Sequence, residues 1–302
     1  MSSNGTEYVD QAYREWGDSL LYDGKYEEAI EKYLNMTDSS YDIANAYTVW
    51  SDQLVSEGDY ESAAKVLESG KEKYPEISGE LDYQPEYVKS EQYIAGLKND
   101  LRTIVKKVDE GKFSEALNII DDLNGSWYLY DDYVDESPLI VKVKGEKYSK
   151  AGIYHPYTDG YSVYYGEYSG NQREGEGIYL YRYDSDIEDN EFNYSEGTWK
   201  NDKPNGMQST YYWQYSNGSL VRDETETVNT IDGVYDGECT RVNNLDGVTY
   251  KGEYIDGVVQ VQGTEQVDGQ SVRVIYYTAD KTGFSYYTND SAYESKHSIY
   301  DF

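Results

Sequence analysis

The sequence lacks most of what would staple a small fold, anchor it in a bilayer or bind a metal. It has one cysteine, Cys239, which excludes a disulfide framework and a cysteine metal site. No apolar run approaches the roughly 18 residues of a membrane span. The opening MSSNGTEYVD is polar and has no apolar signal-peptide core. It reads as a linker joined to a start codon. With the low cysteine count and the high Tyr, Asn, Asp and Ser content, this start makes the expected location extracellular or cell-surface, the anchor being absent from this stretch, with the cytoplasm as the alternative. Basic residues are scarce: 26 Lys and Arg face 58 Asp and Glu, a formal net charge of -32. Split at residue 140, both parts remain acidic. Such a field repels phosphate backbones and anionic head groups, which argues against nucleic acid and against direct phospholipid binding.

Catalytic signatures are missing too. The two histidines, His155 and His297, stand apart and belong to no triad or metal motif. The acidic stretch from Asp184 to Glu191 looks toward calcium. An EF-hand loop, however, needs Gly at its sixth place and Glu at its twelfth, where this chain has Asp189 and Ser195. No cofactor and no enzyme activity are expected. Phenylalanine is rare, at 4 residues, while tyrosine reaches 38. Tyr buries a ring and keeps its hydroxyl wet, which suits thin, layered repeats better than one thick core.

Repeats are present. The strings GKYEEA from Gly24 and GDYESA from Gly58 lie 34 residues apart, and GKFSEA follows from Gly111. In each, a glycine ends one helix at a left-handed turn. An aromatic residue then starts the next helix, and an alanine three residues later allows close helix approach. The first repeat places Tyr13, Trp16, Gly17 and Leu20 on one helix and Ala29, Tyr33 and Met36 on the other. The second repeats this with Tyr47, Trp50, Ser51 and Leu54, then Ala63, Leu67 and Gly70, and closes at Pro75. All four large aromatics, Tyr13, Trp16, Tyr47 and Trp50, are expected between helices. The third unit departs from this pattern. Its stripe of Ile94, Leu97, Leu101, Ile104, Val105 and Val108 predicts one longer helix over 86–110, then a helix near 114–123. Gly79 and Pro85 read as breakers before it.

Residues 10–75 resemble tetratricopeptide repeats. The resemblance implies that the inner face of each first helix contacts an extended peptide. The matching positions are Gln11, Arg14, Asp18 and Leu21, then Asn45, Thr48, Asp52 and Val55. Asp18 and Asp52 stand where a carboxylate-clamping version would carry asparagine-like groups. An acidic tail is thus disfavoured, and a neutral or basic protein or peptide is the expected partner.

After Ser137-Pro138 the helical period gives way to alternation of Tyr with small or polar residues. One unit has Tyr164, Gly166, Tyr168, Asn171, Gly175 and Gly177, with Asn171 read as the left-handed turn residue. A second has Gly197, Trp199, Asp202 and Gly206. A third has Gly233, Gly237 and Cys239, and a fourth has Tyr250, Gly252, Tyr254, Gly257 and Gly263. Equivalent positions fall at 166, 197, 228 and 252. These units resemble MORN repeats, which implies stacked antiparallel β-hairpins. Tyr168, Trp199 and Tyr254 would then form an aromatic ladder. Val272 to Tyr277 reads as strand in a final capping segment.

The expected fold class is α+β with the two kinds segregated. Helical hairpins occupy 1–137 and an antiparallel β-hairpin array occupies 138–302. The expected function is a non-catalytic scaffold or protein-interaction module from a bacterial surface. The alternatives are a carbohydrate-binding module using exposed Tyr and Trp, and an enzyme with an unrecognised acidic site.

Overall fold

The computed structural model describes residues 3–124, 128–134, 138–154, 161–183, 191–216, 219–244, 249–255, 258–267, 270–277 and 285–288. His155, His297, the stretch 184–190 and Gly257 lie outside them.

Helices come first and strands second, as the periodicities predict. The helices are α1 (Ser3–Tyr22), α2 (Tyr26–Tyr33), α3 (Ser40–Glu57), α4 (Tyr60–Lys73), α5 (Gln84–Asp109), α6 (Phe113–Asn124) and α7 (Tyr128–Tyr133). A 3-10 turn, Pro75–Ile77, follows α4. Pro85, read as a breaker, instead sits in the first turn of α5, where its missing N–H costs no hydrogen bond. The long third-unit helix and its partner appear within two residues of their predicted bounds.

Three identical turns make the helical hairpins. Gly24, Gly58 and Gly111 have φ of 72°, 82° and 73°. Each donates its N–H to the carbonyl three residues back, and the next residue donates five back. This pair of hydrogen bonds caps the preceding helix and reverses the chain. Asp59 also accepts the Ser62 N–H at 3.0 Å, capping α4 from its side chain.

Compactness divides the chain into two units, 1–97 and 98–302. The change from helix to strand lies further on, between α7 and the first strand at Leu139. In the first unit, Ala29, Ile30, Tyr33, Ile43, Tyr47, Ala63 and Leu67 form the core with Ile77 and Leu81. The two hairpins solve one packing problem in opposite ways. A Cβ on Gly17 would lie 2.4 Å from the Tyr33 ring, and one on Gly70 would lie 2.9 Å from the Tyr47 ring. So the glycine is on the first helix in one hairpin and on the second helix in the other.

One expectation fails here. Trp50 is half-buried and stacks on Tyr26 of the preceding hairpin, with centroids 5.4 Å apart and planes 10° from parallel. Trp16, its equivalent, is 54% exposed. Trp16 lies on the first helix, so no described hairpin precedes it to supply the stacking ring. Lys32 covers part of it instead, 4.5 Å from the ring centroid.

Among the described residues of the second unit, twelve strands form one antiparallel sheet in sequence order. They are β1 (Leu139–Lys142), β2 (Lys150–Tyr154), β3 (Ser162–Ser169), β4 (Gln172–Tyr183), β5 (Glu191–Lys200), β6 (Lys203–Ser216), β7 (Ser219–Ile231), β8 (Val234–Asn243), β9 (Thr249–Ile255), β10 (Val258–Val267), β11 (Gln270–Tyr277) and β12 (Ser285–Thr288). Helix α6 packs on β4, and Phe113 meets Tyr194 at 4.3 Å.

The 31-residue period is visible in the ladder. Register shifts fall at Gly166/Tyr168, Gly197/Trp199 and Val228/Thr230. Opposite each bulge a glycine holds positive φ: Gly175, Gly206 and Gly237. The tight turns use Asn201-Asp202 and Asp232-Gly233, with positive φ at both residues of each. In the first hairpin the left-handed residue is Gly170, not Asn171. Its two-residue loop needs positive φ only at the first position, so the asparagine is spared.

Candidate functional site

The eight sequence-selected positions lie on α1 and α3 and meet different fates. Gln11 is exposed, with its amide donating to Glu15 at 2.9 Å. Arg14 crosses to α3 and grips Asp42 through two hydrogen bonds of 3.1 and 3.2 Å. Asp18 accepts the Tyr33 hydroxyl at 2.8 Å. Burial and then Asp18 push that phenol well above its ordinary pKa. Asn45 is exposed and Thr48 half-buried. Leu21 packs against the core and Val55 belongs to it, so these two build the helix contact more than they offer a surface.

Asp52 differs from the other acids on this face. Its carboxyl is raised above the usual carboxylate range by desolvation. Among the described residues no cation pairs with it, whereas Asp42 has Arg14 and Asp18 has Tyr33. Tyr87, on the first part of α5, joins the same neighbourhood. Its phenol is raised by burial, then by Glu91 and Asp52. The ring is 42% exposed. Sequence reasoning missed Tyr87 because the third unit departs from the repeat pattern. Asp52 is thus an exposed carboxylate with no cation partner among the described residues, within electrostatic reach of the exposed Tyr87 ring, which Glu91 also faces.

In the second unit, one sheet face buries polar side chains in register. Across β4 to β8 runs the row Tyr179, Ser195, Thr210, Glu226 and Arg241. Beside it runs Tyr181, Asn193, Tyr212 and Glu224. Glu224 and Glu226 are 5% and 4% exposed. Arg241 holds Glu224 through Nε at 2.6 Å and also through Nη2. Glu226 accepts the hydroxyls of Tyr212 at 2.9 Å and Tyr254 at 3.3 Å. Burial and then Glu226 raise the phenols of Tyr212 and Tyr254, and push Tyr235 up to about 12. Tyr212 and Tyr254 remain neutral donors to Glu226 while Arg241 holds Glu224, so both carboxylates are satisfied as a buried network should be.

The expected aromatic ladder takes another form. Trp199 is 5% exposed and packs on Tyr164 and Tyr179, with centroids 5.3 and 5.4 Å away. Tyr254 packs on Tyr235 at 5.1 Å. The Arg173 guanidinium lies between the rings, 4.3 Å from Trp199, 4.7 Å from Tyr154 and 5.2 Å from Tyr179. Thr230 occupies the ladder position of the third hairpin. Trp199 and Tyr254 thus keep almost no face open to solvent.

Among the described residues no group of His, Cys, Asp and Glu could hold a metal ion, and no helix is long and apolar enough to cross a membrane. No protein-family model matches the chain, and no curated protein matches it.

Proposed function

We propose that the chain is a non-catalytic interaction protein, built from tetratricopeptide-like helical hairpins followed by MORN-like β-hairpins, whose α1–α3 surface holds an extended neutral or basic peptide. The observation behind this reading is the exposed Asp52 carboxylate on α3, which has no ion-pair partner among the described residues and lies within electrostatic reach of the exposed Tyr87 on α5. A cationic side chain arriving there gains a charge partner that the fold itself does not supply. Its aliphatic stem can lie on the tyrosine. The MORN-like resemblance is supported by the three bulge-and-turn units repeating at 31 residues.

The test separates binding from folding. Fluorescent basic, neutral and acidic peptide pools are titrated against the intact chain. Basic peptides should bind best, and weaken as salt rises past about 0.1 M. Asp52→Asn should reduce that affinity roughly tenfold, about 1.4 kcal/mol. The same change should leave the melting temperature equal or slightly higher. The sign follows from the raised pKa: the fold favours the neutral carboxyl, so the stability it contributes fades as pH rises through the folded pKa. Binding of a basic peptide should be gained over that same interval. Equal binding of acidic pools, or an unchanged affinity in Asp52→Asn, would remove the assignment.

A further inference from the structure

On the sheet of the second unit there is a cavity of about 550 Å³. Its volume lies within the range of small-ligand sites. Met207 gives it apolar surface over the buried Ile178, Tyr148 an aromatic wall, and Glu176 and Glu196 two carboxylates. Lys147 enters from the rim, with Nζ 3.4 Å from a Glu196 oxygen. Among the described residues no cation pairs with Glu176.

The wall is fixed in place. The backbone N–H groups of Lys147 and Tyr148 both donate to the Tyr165 hydroxyl at 3.0 Å. Tyr165 is fully buried, and its hydroxyl donates to Asp109 at 3.0 Å. The Glu146 N–H reaches the same carboxylate at 2.7 Å. Gly145 lets the loop close over Tyr165, since a Cβ there would lie 2.1 Å from the hydroxyl. One wall of this open cavity is therefore fixed before a ligand arrives.

We propose that this cavity is a binding site for a primary alkylammonium group on an apolar stem. The site already shows its preference through Lys147, whose own ammonium stands beside Glu196 while Glu176 is left over. Burial, then Glu176 and Glu196, raise the Tyr148 phenol, which places negative potential at the wall. An incoming amine sets its charge between the carboxylates and its methylenes against Met207 and Tyr148. Two sources share this chemistry: a lysine side chain of a protein and a free diamine. The site is separate from the helical surface, so Asp52→Asn should leave it unaltered.

The experiment titrates the intact chain with 1,5-diaminopentane, with lysine blocked at both backbone ends, and with 1-pentanol. Amide chemical shifts of Lys147, Tyr148, Gly177 and Gly197 report the site. Saturable shifts are expected with one or both amines at Kd of about 1 mM, and none with the alcohol. Preference for the blocked lysine identifies a protein side chain as the natural occupant, and preference for the diamine a free amine. Glu176→Gln should weaken amine binding at least about fivefold. Lys147→Met should strengthen it about threefold, because it removes the internal competitor. No saturable shift in this region, equal shifts with 1-pentanol, no effect of Glu176→Gln, or weaker binding in Lys147→Met would each overturn the proposal.

Discussion

Arg173→Ala should destabilise the sheet of the second unit by about 3 kcal/mol. The side chain is 15% exposed and joins consecutive hairpins. Its Nη2 donates to the Asp202 carbonyl at 2.7 Å, and its backbone N–H donates to the Asp202 carboxylate at 2.8 Å. Asp202 returns a bond from its own N–H to the Arg173 carbonyl at 3.1 Å. Truncation empties the space between Trp199, Tyr154 and Tyr179 and leaves those rings without their central cation. It also strips the turn Asn201-Asp202 of its side-chain anchor, although the backbone bonds can persist. Arg173→Lys keeps the charge but loses the planar fork and the stacking, so it should recover less than half of the loss. Urea unfolding with hydrogen exchange on β4 to β6 measures both variants. A loss under about 1 kcal/mol in Arg173→Ala would mean that the hairpins hold together without this clamp.

The next hairpin shows how the same contact is made without arginine. Position 204 is proline, and its carbonyl accepts the Gly233 N–H at 2.8 Å. Asn205 Oδ1 accepts the Asp232 N–H at 3.3 Å, as Glu174 accepts the Asn201 N–H at 3.0 Å. Turn-to-strand docking therefore recurs at 31 residues through backbone groups and a short polar side chain. Only the first junction adds the caged guanidinium. The repeat defines the join, and Arg173 reinforces it where the surrounding rings are densest.

This contrast marks what the sequence could and could not reveal. The 31-residue spacing and the glycines that the turns and bulges use, Gly175, Gly206, Gly233 and Gly237, were readable because each rests on local backbone chemistry within a few residues, whereas the bulges themselves were not foreseen. The left-handed residue of the first turn was misplaced by one position, at Asn171 in place of Gly170. Two-residue loops with one or two left-handed residues share a Gly/Asn signature. Trp16 and Trp50 look alike in the sequence, yet only Trp50 has a ring stacked on it. Their difference belongs to the neighbouring hairpin and not to either residue. The Arg173 clamp spans 29 residues and the Asp109–Tyr165 anchor spans 56. Neither pairing follows from spacing, because each depends on how many residues the intervening loops take up. The helical surface was half legible: Arg14, Asp18 and Asp52 are on it, but Asp42 and Tyr87 were visible only once α1, α3 and α5 were folded.

The two helical hairpins make the equivalence of repeats testable by exchange. Gly17→Ser should destabilise the first unit by about 3 kcal/mol, because its Cβ would enter the Tyr33 ring, which is 1% exposed and cannot swing into solvent. Position 51, the equivalent in the second hairpin, is already serine and fully buried. It is tolerated there because Leu67, not tyrosine, occupies the position equivalent to Tyr33. The double change Gly17→Ser with Tyr33→Leu should therefore recover most of the loss. It forfeits the Tyr33–Asp18 hydrogen bond, so a deficit of about 1 kcal/mol should remain. Tyr33→Leu alone should cost about 2 kcal/mol, from the missing ring volume and that bond. Thermal and urea unfolding of the four chains gives the coupling energy directly. Strong positive coupling is expected if the hairpins are interchangeable solutions of one packing geometry. Additive losses would mean that they are not, and that the 34-residue match between them is one of residue type without a shared helix approach.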